Sequence, residues 1–232
     1  MKAKKRTRPP SLAVLTRLAQ QLLTPGDAAA SAVAKLRLVA DDHDQLVANV
    51  LLSTDGAIQA FVQLLDSDAV DDAVALLHNE SIALSEAFKD ELVRVGAVGK
   101  LVALLESEED AITCNAAGAI GLLVIVNEEC RADGHLRVQQ VYEAGAVPAL
   151  HSILARGAAS NVAKQAAVAL ANIVDSGNTS IEWAMLKWLE DQSPPVDFPD
   201  LMDTLRETSA GLYRRCAAMG AALRRRASKA GE

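Results

Sequence analysis

The side chains that most often carry catalysis or hold metals are spread thinly along this sequence. Its histidines and cysteines show no zinc-ligand spacing: they are His43, His78, His135 and His151, with Cys114, Cys130 and Cys216. A structural zinc site needs four such ligands, usually in closely spaced pairs. An odd number of distant cysteines also argues against a disulfide framework and for a reducing compartment. We therefore expect neither a bound metal nor a cofactor.

Carboxylates and glycines give no better case for catalysis. Acidic residues cluster at 41–44 and 106–110, both at predicted helix boundaries, where carboxylates commonly cap helices and face solvent. Gly118 and Gly121 lie inside an apolar predicted helix and do not form a phosphate-binding loop. No serine-centred nucleophile elbow is present. These patterns predict a protein that is not an enzyme.

Charge is distributed unevenly along the 232 residues. Residues 11–205 contain 11 basic and 28 acidic residues, whereas residues 1–10 contain five basic residues and residues 206–232 contain seven basic against two acidic. An acidic body attracts basic partners and repels nucleic acid and anionic membranes. We expect a protein or peptide partner of basic character, no nucleic acid bound by the body, and no membrane association.

A sequence repeat sets the positions of the helices. Gly-Ala-Ile at 56–58 recurs as Gly-Ala-Val at 96–98 and 145–147, and each copy opens an apolar run. The intervals of 40 and 49 residues lie near the period of helical solenoids, and the longer one places an insertion around 127–134. Since one such unit cannot bury its own apolar faces, the units must stack.

Three helices surround each glycine in the predicted unit. One ends at the glycine (44–52, 85–95 and 135–144), a second starts with the apolar run, and a third follows a polar break (28–40, 68–81, 110–126 and 161–174). Glycine suits such a corner because it has no Cβ to penalise positive φ. Asp110 and Ser160 are the predicted N-caps of two third helices. The fold class is therefore all-α, an α-solenoid of about four three-helix repeats.

The predicted organisation has three parts. A disordered basic tail occupies 1–10, and stacked units occupy 11–175, divided into a half unit at 11–40 and full units at 41–81, 82–126 and 127–175. Capping helices with a basic tail occupy 176–232. Within that last part a stripe of Leu and Met over about 199–229 predicts a helix that covers the terminal repeat, and self-association through this helix is the alternative.

The segments YEAGAVPAL at 142–150 and AAVALANIV at 166–174 resemble the armadillo repeat, and the resemblance extends over about 11–175. It implies a right-handed superhelix whose third helices line a concave groove for extended peptides. In importin-like members each groove position carries a Trp and, four residues later, an Asn. The corresponding pairs here are Val74 and His78, Gly118 and Leu122, and Val168 and Asn172, so only Asn172 matches.

Helical spacing names the residues that would line this groove, because positions i, i+3 and i+7 share one face. The predicted peptide-binding residues are Asp71, Val74 and His78; Asn115, Gly118 and Leu122; and Gln165, Val168 and Asn172. The competing interpretation is that some of them only pack between repeats.

The N-terminal tail carries two competing targeting patterns. Lys5, Arg6 and Arg8 fit a minimal nuclear-import signal, which favours a cytoplasmic or nuclear protein. Residues 1–26 contain no acidic residue and include an apolar stripe, which is also typical of a mitochondrial or plastid transit peptide. A third hypothesis is that a basic tail folds onto the acidic groove and competes with partners.

These patterns together predict an interaction scaffold or adaptor that captures a basic or amphipathic segment in an acidic concave groove. Two alternatives stay open. One is an importin-α-like nuclear transport adaptor, and the other is a docking subunit of a larger enzyme complex.

Overall fold

The structure is a computed structural model that describes residues 10–79, 85–126, 131–155, 161–176 and 181. Within these ranges the regular elements are helical and no strand occurs. The helices are α1 (Leu12–Leu22), α2 (Asp27–Ser53), α3 (Ala57–Gln63), α4 (Val70–Leu77), α5 (Glu86–Arg94), α6 (Ala97–Leu104), α7 (Asp110–Leu123), α8 (Arg131–Glu143), α9 (Ala146–Ala155) and α10 (Asn161–Asp175), with a 3-10 turn (Leu64–Asp66) after α3. None of them is long and apolar enough to cross a membrane.

The chain divides into two compact units, residues 1–123 and residues 124–232. In the first unit α1 packs against α2 and α3, α2 against α4, and α4 against α7. Its core contains the fully buried rings of Phe61 and Phe88 among Leu, Val, Ile and Ala side chains. Small side chains let neighbouring helices approach closely, and α7 buries a run of them at Ala116, Ala117, Gly118 and Ala119. This packing explains a chain with 50% hydrophobic residues and only 3% aromatic ones.

The glycine corners follow the predicted pattern. Gly56, Gly96 and Gly145 have φ of +73°, +84° and +84°, and each immediately precedes α3, α6 or α9. Among the described residues, no residue other than glycine has a positive φ. A side chain with Cβ is strained in this region, which is why the corner phrase is written with glycine each time.

Helix α2 joins two predicted helices. Its residue His43 has φ −141° and ψ 43°, which is not helical, so the element bends there. The bend falls between the predicted helices 28–40 and 44–52, and it separates the third helix of one repeat from the first helix of the next. Two helices on either side of a bend were therefore correctly predicted from the polar stretch 41–44.

Three helix boundaries differ from the prediction. Helix α4 spans Val70–Leu77 and not 68–81. Its later start follows a turn at Ser67, whose hydroxyl donates to the carbonyl of Leu64 at 2.8 Å. Asp110 is the first residue of α7 and not the N-cap before it. Its negative charge interacts favourably with the helix dipole there. Helix α8 begins at Arg131, so residues 131–134 of the predicted insertion lengthen a helix. Ser160 lies outside the described residues.

The second unit packs α9 against α10 and α8 against α9. Helix α10 buries alanines on most of its circumference, including Ala163, Ala166 and Ala167. Gly134 allows α8 to lie close to Val126, because an added Cβ would come within 3.0 Å of that side chain. The predicted capping helix at 199–229 lies outside the described residues.

Candidate functional site

Three of the predicted groove residues meet where α4 ends beside α7. Nδ1 of His78 donates a hydrogen bond to Oδ1 of Asn115 at 3.0 Å. The imidazole ring lies directly over Gly118, where an added Cβ would come closer than 3.0 Å to three ring atoms. Gly118 is therefore the residue that lets a histidine from one repeat rest on the third helix of the next.

The hydrogen bond from His78 fixes the orientation of the Asn115 amide. Both side chains are half-buried. A primary amide carries two N–H donors besides its oxygen. The amide nitrogen of Asn115 donates no hydrogen bond to a described residue and is not fully buried, so its donors are accessible to a ligand.

The remaining predicted residues of this row differ in exposure. Asp71 is exposed in the first turn of α4, and Leu122 is half-buried near the end of α7. Val74 has no exposed surface and belongs to the core of the first unit. The prediction that Val74 lines a groove is thus corrected, because its helical position faces the neighbouring helices. We call the surface formed by Asp71, His78, Cys114, Asn115 and Leu122 the α4–α7 face.

Carboxylates gather at the two successive corners that lead into α4 and α7. They are Asp66, Asp68, Asp71 and Asp72 before and within the start of α4, and Glu106, Glu108, Glu109 and Asp110 before and at the start of α7. All are exposed except Asp72, which is half-buried. We call these eight residues the acidic corners.

Two of these carboxylates are neutralised by cations of the same unit. Arg37 of α2 binds Asp72 through its Nε at 2.6 Å, and Lys100 of α6 pairs with Asp66. Both ion pairs join neighbouring repeats. The other six carboxylates of the acidic corners have no ion pair with a described residue, and no Lys or Arg occurs in 64–75 or 101–112. The corners therefore carry a net negative charge beside the α4–α7 face.

Cys114 also lies on the α4–α7 face, and its thiol has a raised pKa. Burial raises the pKa of the Cys114 thiol, and the charge of Asp110 raises it further. Both effects disfavour the thiolate, which is the nucleophilic form. Cys114 is therefore a half-buried, weakly reactive thiol, and not a prepared nucleophile.

The second unit holds the last predicted row on α10. Gln165, Val168 and Asn172 are each half-buried and share one side of the helix, while the alanines between them are buried. Asn172, the one residue that matches the importin pattern, already takes part in a polar interaction. The binding role of these residues stays a prediction. Lys5, Arg6 and Arg8 of the predicted import signal lie outside the described residues.

Other titratable groups do not assemble into a catalytic or metal site within the described part of the chain. His135 donates from Nε2 to the carbonyl of Ser176 at 3.2 Å, and burial lowers the pKa of His151. No group of three or more His, Cys, Asp or Glu is placed to hold a metal ion there.

Sequence reasoning named the polar row but missed the acidic corners. The local pattern predicts only solvated helix caps at 106–110, and it does not distinguish Asp66 and Asp68 from other exposed acidic residues. The signal that finds them is the repeat itself: acidic residues occupy equivalent places after the paired leucines Leu64-Leu65 and Leu104-Leu105. Residues at equivalent places in stacked repeats lie along one edge.

Comparison with known proteins agrees with this architecture. The family model described as Armadillo/beta-catenin-like repeat matches residues 85–125, which contain α5, α6 and α7. The match falls on the predicted repeat at 82–126, although the sequence segments that most resemble the family lie in the predicted repeat at 127–175. No curated protein sequence is similar enough to this chain to count as a relative.

Several solved structures share the fold. A designed armadillo repeat protein in complex with the peptide (KR)4 is 22% identical, covers 84% of this chain and 81% of its own, and gives a TM-score of 0.60. Computationally designed armadillo repeat proteins for modular peptide recognition are 25% identical over 89% of this chain and 88% of theirs, with a TM-score of 0.58. A further engineered protein covers 88% of this chain and 94% of its own at 20% identity, with a TM-score of 0.60. The chain thus contains an armadillo repeat at residues 85–125 and has the all-α armadillo repeat fold.

Proposed function

We propose that this protein is an interaction module that binds an extended basic segment of a partner protein along the α4–α7 face. The observation that carries the proposal is the row of six unpaired carboxylates in the acidic corners beside the oriented amide of Asn115. Carboxylates attract Lys and Arg side chains, and an amide N–H pairs with a peptide carbonyl irrespective of sequence.

The amide of Asn115 replaces the missing asparagine of the importin pattern in this proposal. His78 occupies the position of the pattern's Asn, and its Nδ1–H donates a hydrogen bond to Asn115. The donors that remain for a ligand are then those of Asn115, one repeat further along the chain. A designed armadillo repeat protein with the same fold binds the basic peptide (KR)4, and this precedent supports the choice of a basic ligand.

The charges predict fast, salt-sensitive binding. Exposed ion pairs contribute about 0.2–1 kcal/mol each, so several must act together to give a measurable affinity. Their attraction is screened over about 10 Å at 0.1 M salt. The mechanism therefore relies on electrostatic attraction for the encounter and on the α4–α7 face for the register of the peptide.

Fluorescence anisotropy with a labelled (KR)4 peptide tests the proposal. We expect binding at 50 mM NaCl that weakens at least tenfold at 300 mM, and a loss of at least threefold for Asn115→Ala at constant salt. The matched control is Gln59→Ala, an exposed amide on α3 outside the acidic corners, which should leave the affinity unchanged.

A second readout locates the bound peptide. In a variant with Cys114 as its one cysteine (Cys130→Ser/Cys216→Ser), saturating (KR)4 should slow alkylation of Cys114 by iodoacetamide. Binding that is insensitive to Asn115→Ala and leaves the alkylation rate of Cys114 unchanged would place the ligand elsewhere and overturn the proposal.

A further inference from the structure

A groove between α1 and α2 differs from the rest of the first unit in charge and in apolar exposure. Its volume is about 590 Å³, and its walls come from one face of each helix. The lining residues are Val14, Arg17, Leu18 and Gln21 from α1, and Lys35, Leu38 and Val39 from α2. Their spacings of three and four residues place each set along one side of its helix.

Two large apolar side chains in the groove are exposed to solvent. Leu38 is 63% exposed and Val14 is 50% exposed, while Leu18 forms a floor at 8%. Single exposed leucines are ordinary in soluble proteins, but here two branched side chains flank one buried floor residue. A partner that covers this groove would remove apolar surface from water at about 25 cal/mol per Å².

The position of the groove explains why it is open. In a stacked repeat fold each unit is covered by its neighbours on both sides, and terminal units need a special cover. Helices α1 and α2 pack against α3 and α4 of the following repeat, and no described element other than α1 and α2 lines the groove. It is the end of the stack within the described part of the chain.

The charges of the groove indicate what occupies it. Residues 10–123 contain six Lys and Arg side chains, and four of them form ion pairs: Arg37, Lys89, Arg94 and Lys100. The other two are Arg17 and Lys35, which both line the groove and form no ion pair with a described carboxylate. The described residues that line it include no carboxylate.

We propose that the groove between α1 and α2 docks an acidic amphipathic helix of a partner protein. Its apolar stripe would cover Val14, Leu18 and Leu38, and its flanking carboxylates would pair with Arg17 and Lys35. An amphipathic helix laid between two helices uses the common packing of helices in grooves. The chain's own basic tails are poor occupants because they would be repelled by the two cations. This surface selects the opposite charge from the α4–α7 face and is independent of it.

Three synthetic helical peptides with one leucine stripe test this proposal. Their flanking positions carry Glu, Gln or Lys, and each is labelled for fluorescence anisotropy against the full chain. We expect the Glu peptide to bind at least tenfold more tightly than the Lys peptide at 50 mM NaCl. The double variant Arg17→Glu/Lys35→Glu should reverse this order, because both helix positions stay exposed and the fold is retained.

Two further arms separate groove binding from other causes. Leu38→Ala should weaken all three peptides about threefold or more, whereas Leu12→Ala, which truncates a leucine of α1 that is 61% exposed and does not line the groove, should not. The Glu peptide should leave the alkylation rate of Cys114 unchanged, in contrast to (KR)4. Failure of (KR)4 binding therefore contradicts only the proposed function.

Other results would overturn the inference. An order of affinities that Arg17→Glu/Lys35→Glu leaves unchanged would exclude the groove as the site. A preference of the natural chain for the Lys peptide would show that the acidic body dominates binding. A concentration-dependent dimer of the peptide-free chain in sedimentation velocity, abolished by Arg17→Glu/Lys35→Glu, would assign the groove to a second copy of the chain.

Discussion

At the scale of single residues, the contact between His78 and Gly118 is the most specific packing feature of the α4–α7 face. Glycine inside a helix costs about 1 kcal/mol relative to alanine. Helix stability alone therefore does not favour a glycine at this position. The advantage of glycine here is steric, since the imidazole ring occupies the place of a Cβ.

Gly118→Ala should therefore destabilise the protein although alanine is the better helix former. Overpacking in a well-packed region costs about 1–3 kcal/mol, which exceeds the gain in helix propensity. In a His78→Ala background the same change should become stabilising by up to about 1 kcal/mol, because the ring is gone. Urea unfolding followed by circular dichroism measures both. Equal signs in the two backgrounds would contradict the contact.

At the scale of elements, glycine is needed at the corner before α6 but not inside α6 itself. Gly96 precedes α6 with φ +84°, while Gly99 lies inside α6 with nothing within 4 Å of an added Cβ. Gly96→Ala should cost about 1–2 kcal/mol because an L-residue is strained in the left-handed region. Gly99→Ala, three residues away, should instead stabilise by up to about 1 kcal/mol. Thermal unfolding of the two variants compares them directly, and a loss of equal size in both would mean that the corner conformation is not what matters.

Helix α5 contains a buried cation whose pairing should be tested by removing each partner. The Lys89 side chain is 1% exposed, and its Nζ lies 2.5 Å from Oε1 of Glu86 one turn earlier. Lys89 lines a small internal void of about 10 Å³ together with leucines and Phe88. A buried charge that loses its counterion is costly, whereas a pair replaced by apolar groups of similar volume is often tolerated.

Glu86→Gln should consequently destabilise by about 3 kcal/mol, and Lys89→Met should cost less than Glu86→Gln. The double variant should recover stability relative to Glu86→Gln alone. Guanidinium titrations of the three variants give the coupling energy. An additive result would show that Lys89 draws its stabilisation from its other contacts.

The sequence predicted elements better than it predicted their ends. The three glycine corners, the helices on both sides of residues 41–43 and the third helices α7 and α10 were all predicted, because each follows from local periodicity or from backbone sterics. Helix α4 starts two residues later than predicted because backbone and side-chain hydrogen bonds form a turn at Ser67, which hydrophobic periodicity does not show. The burial of Val74 and the partnership of His78 with Asn115 depend on how successive repeats pack, and periodicity within one helix does not contain that information.

At the scale of the whole molecule, the carboxylates of the acidic corners lie at helix ends, and some of these positions do not stabilise the helix. Glu109 and Asp110 lie at the start of α7, where carboxylates interact favourably with the helix dipole. Glu106 follows the end of α6, where the dipole is unfavourable to a carboxylate. All three are exposed members of the acidic corners. Because Glu106 gains nothing from the dipole of its own helix, its effect on stability and its effect on binding can be measured separately.

Glu106→Gln and Glu109→Gln separate the two roles because they change the same charge at opposite helix ends. Glu106→Gln should raise the free energy of unfolding by about 0.3–1 kcal/mol, and Glu109→Gln should lower it by a similar amount. Both should weaken (KR)4 binding and flatten its salt dependence, since each removes one attractive charge. If Glu106→Gln raises stability without any loss of (KR)4 affinity, the corner carboxylates do not serve the ligand. The unfavourable charge at the end of α6 would then need another explanation. Stability and affinity changing in opposite directions at Glu106, and in the same direction at Glu109, is the pattern that a binding surface built at some expense of the fold requires.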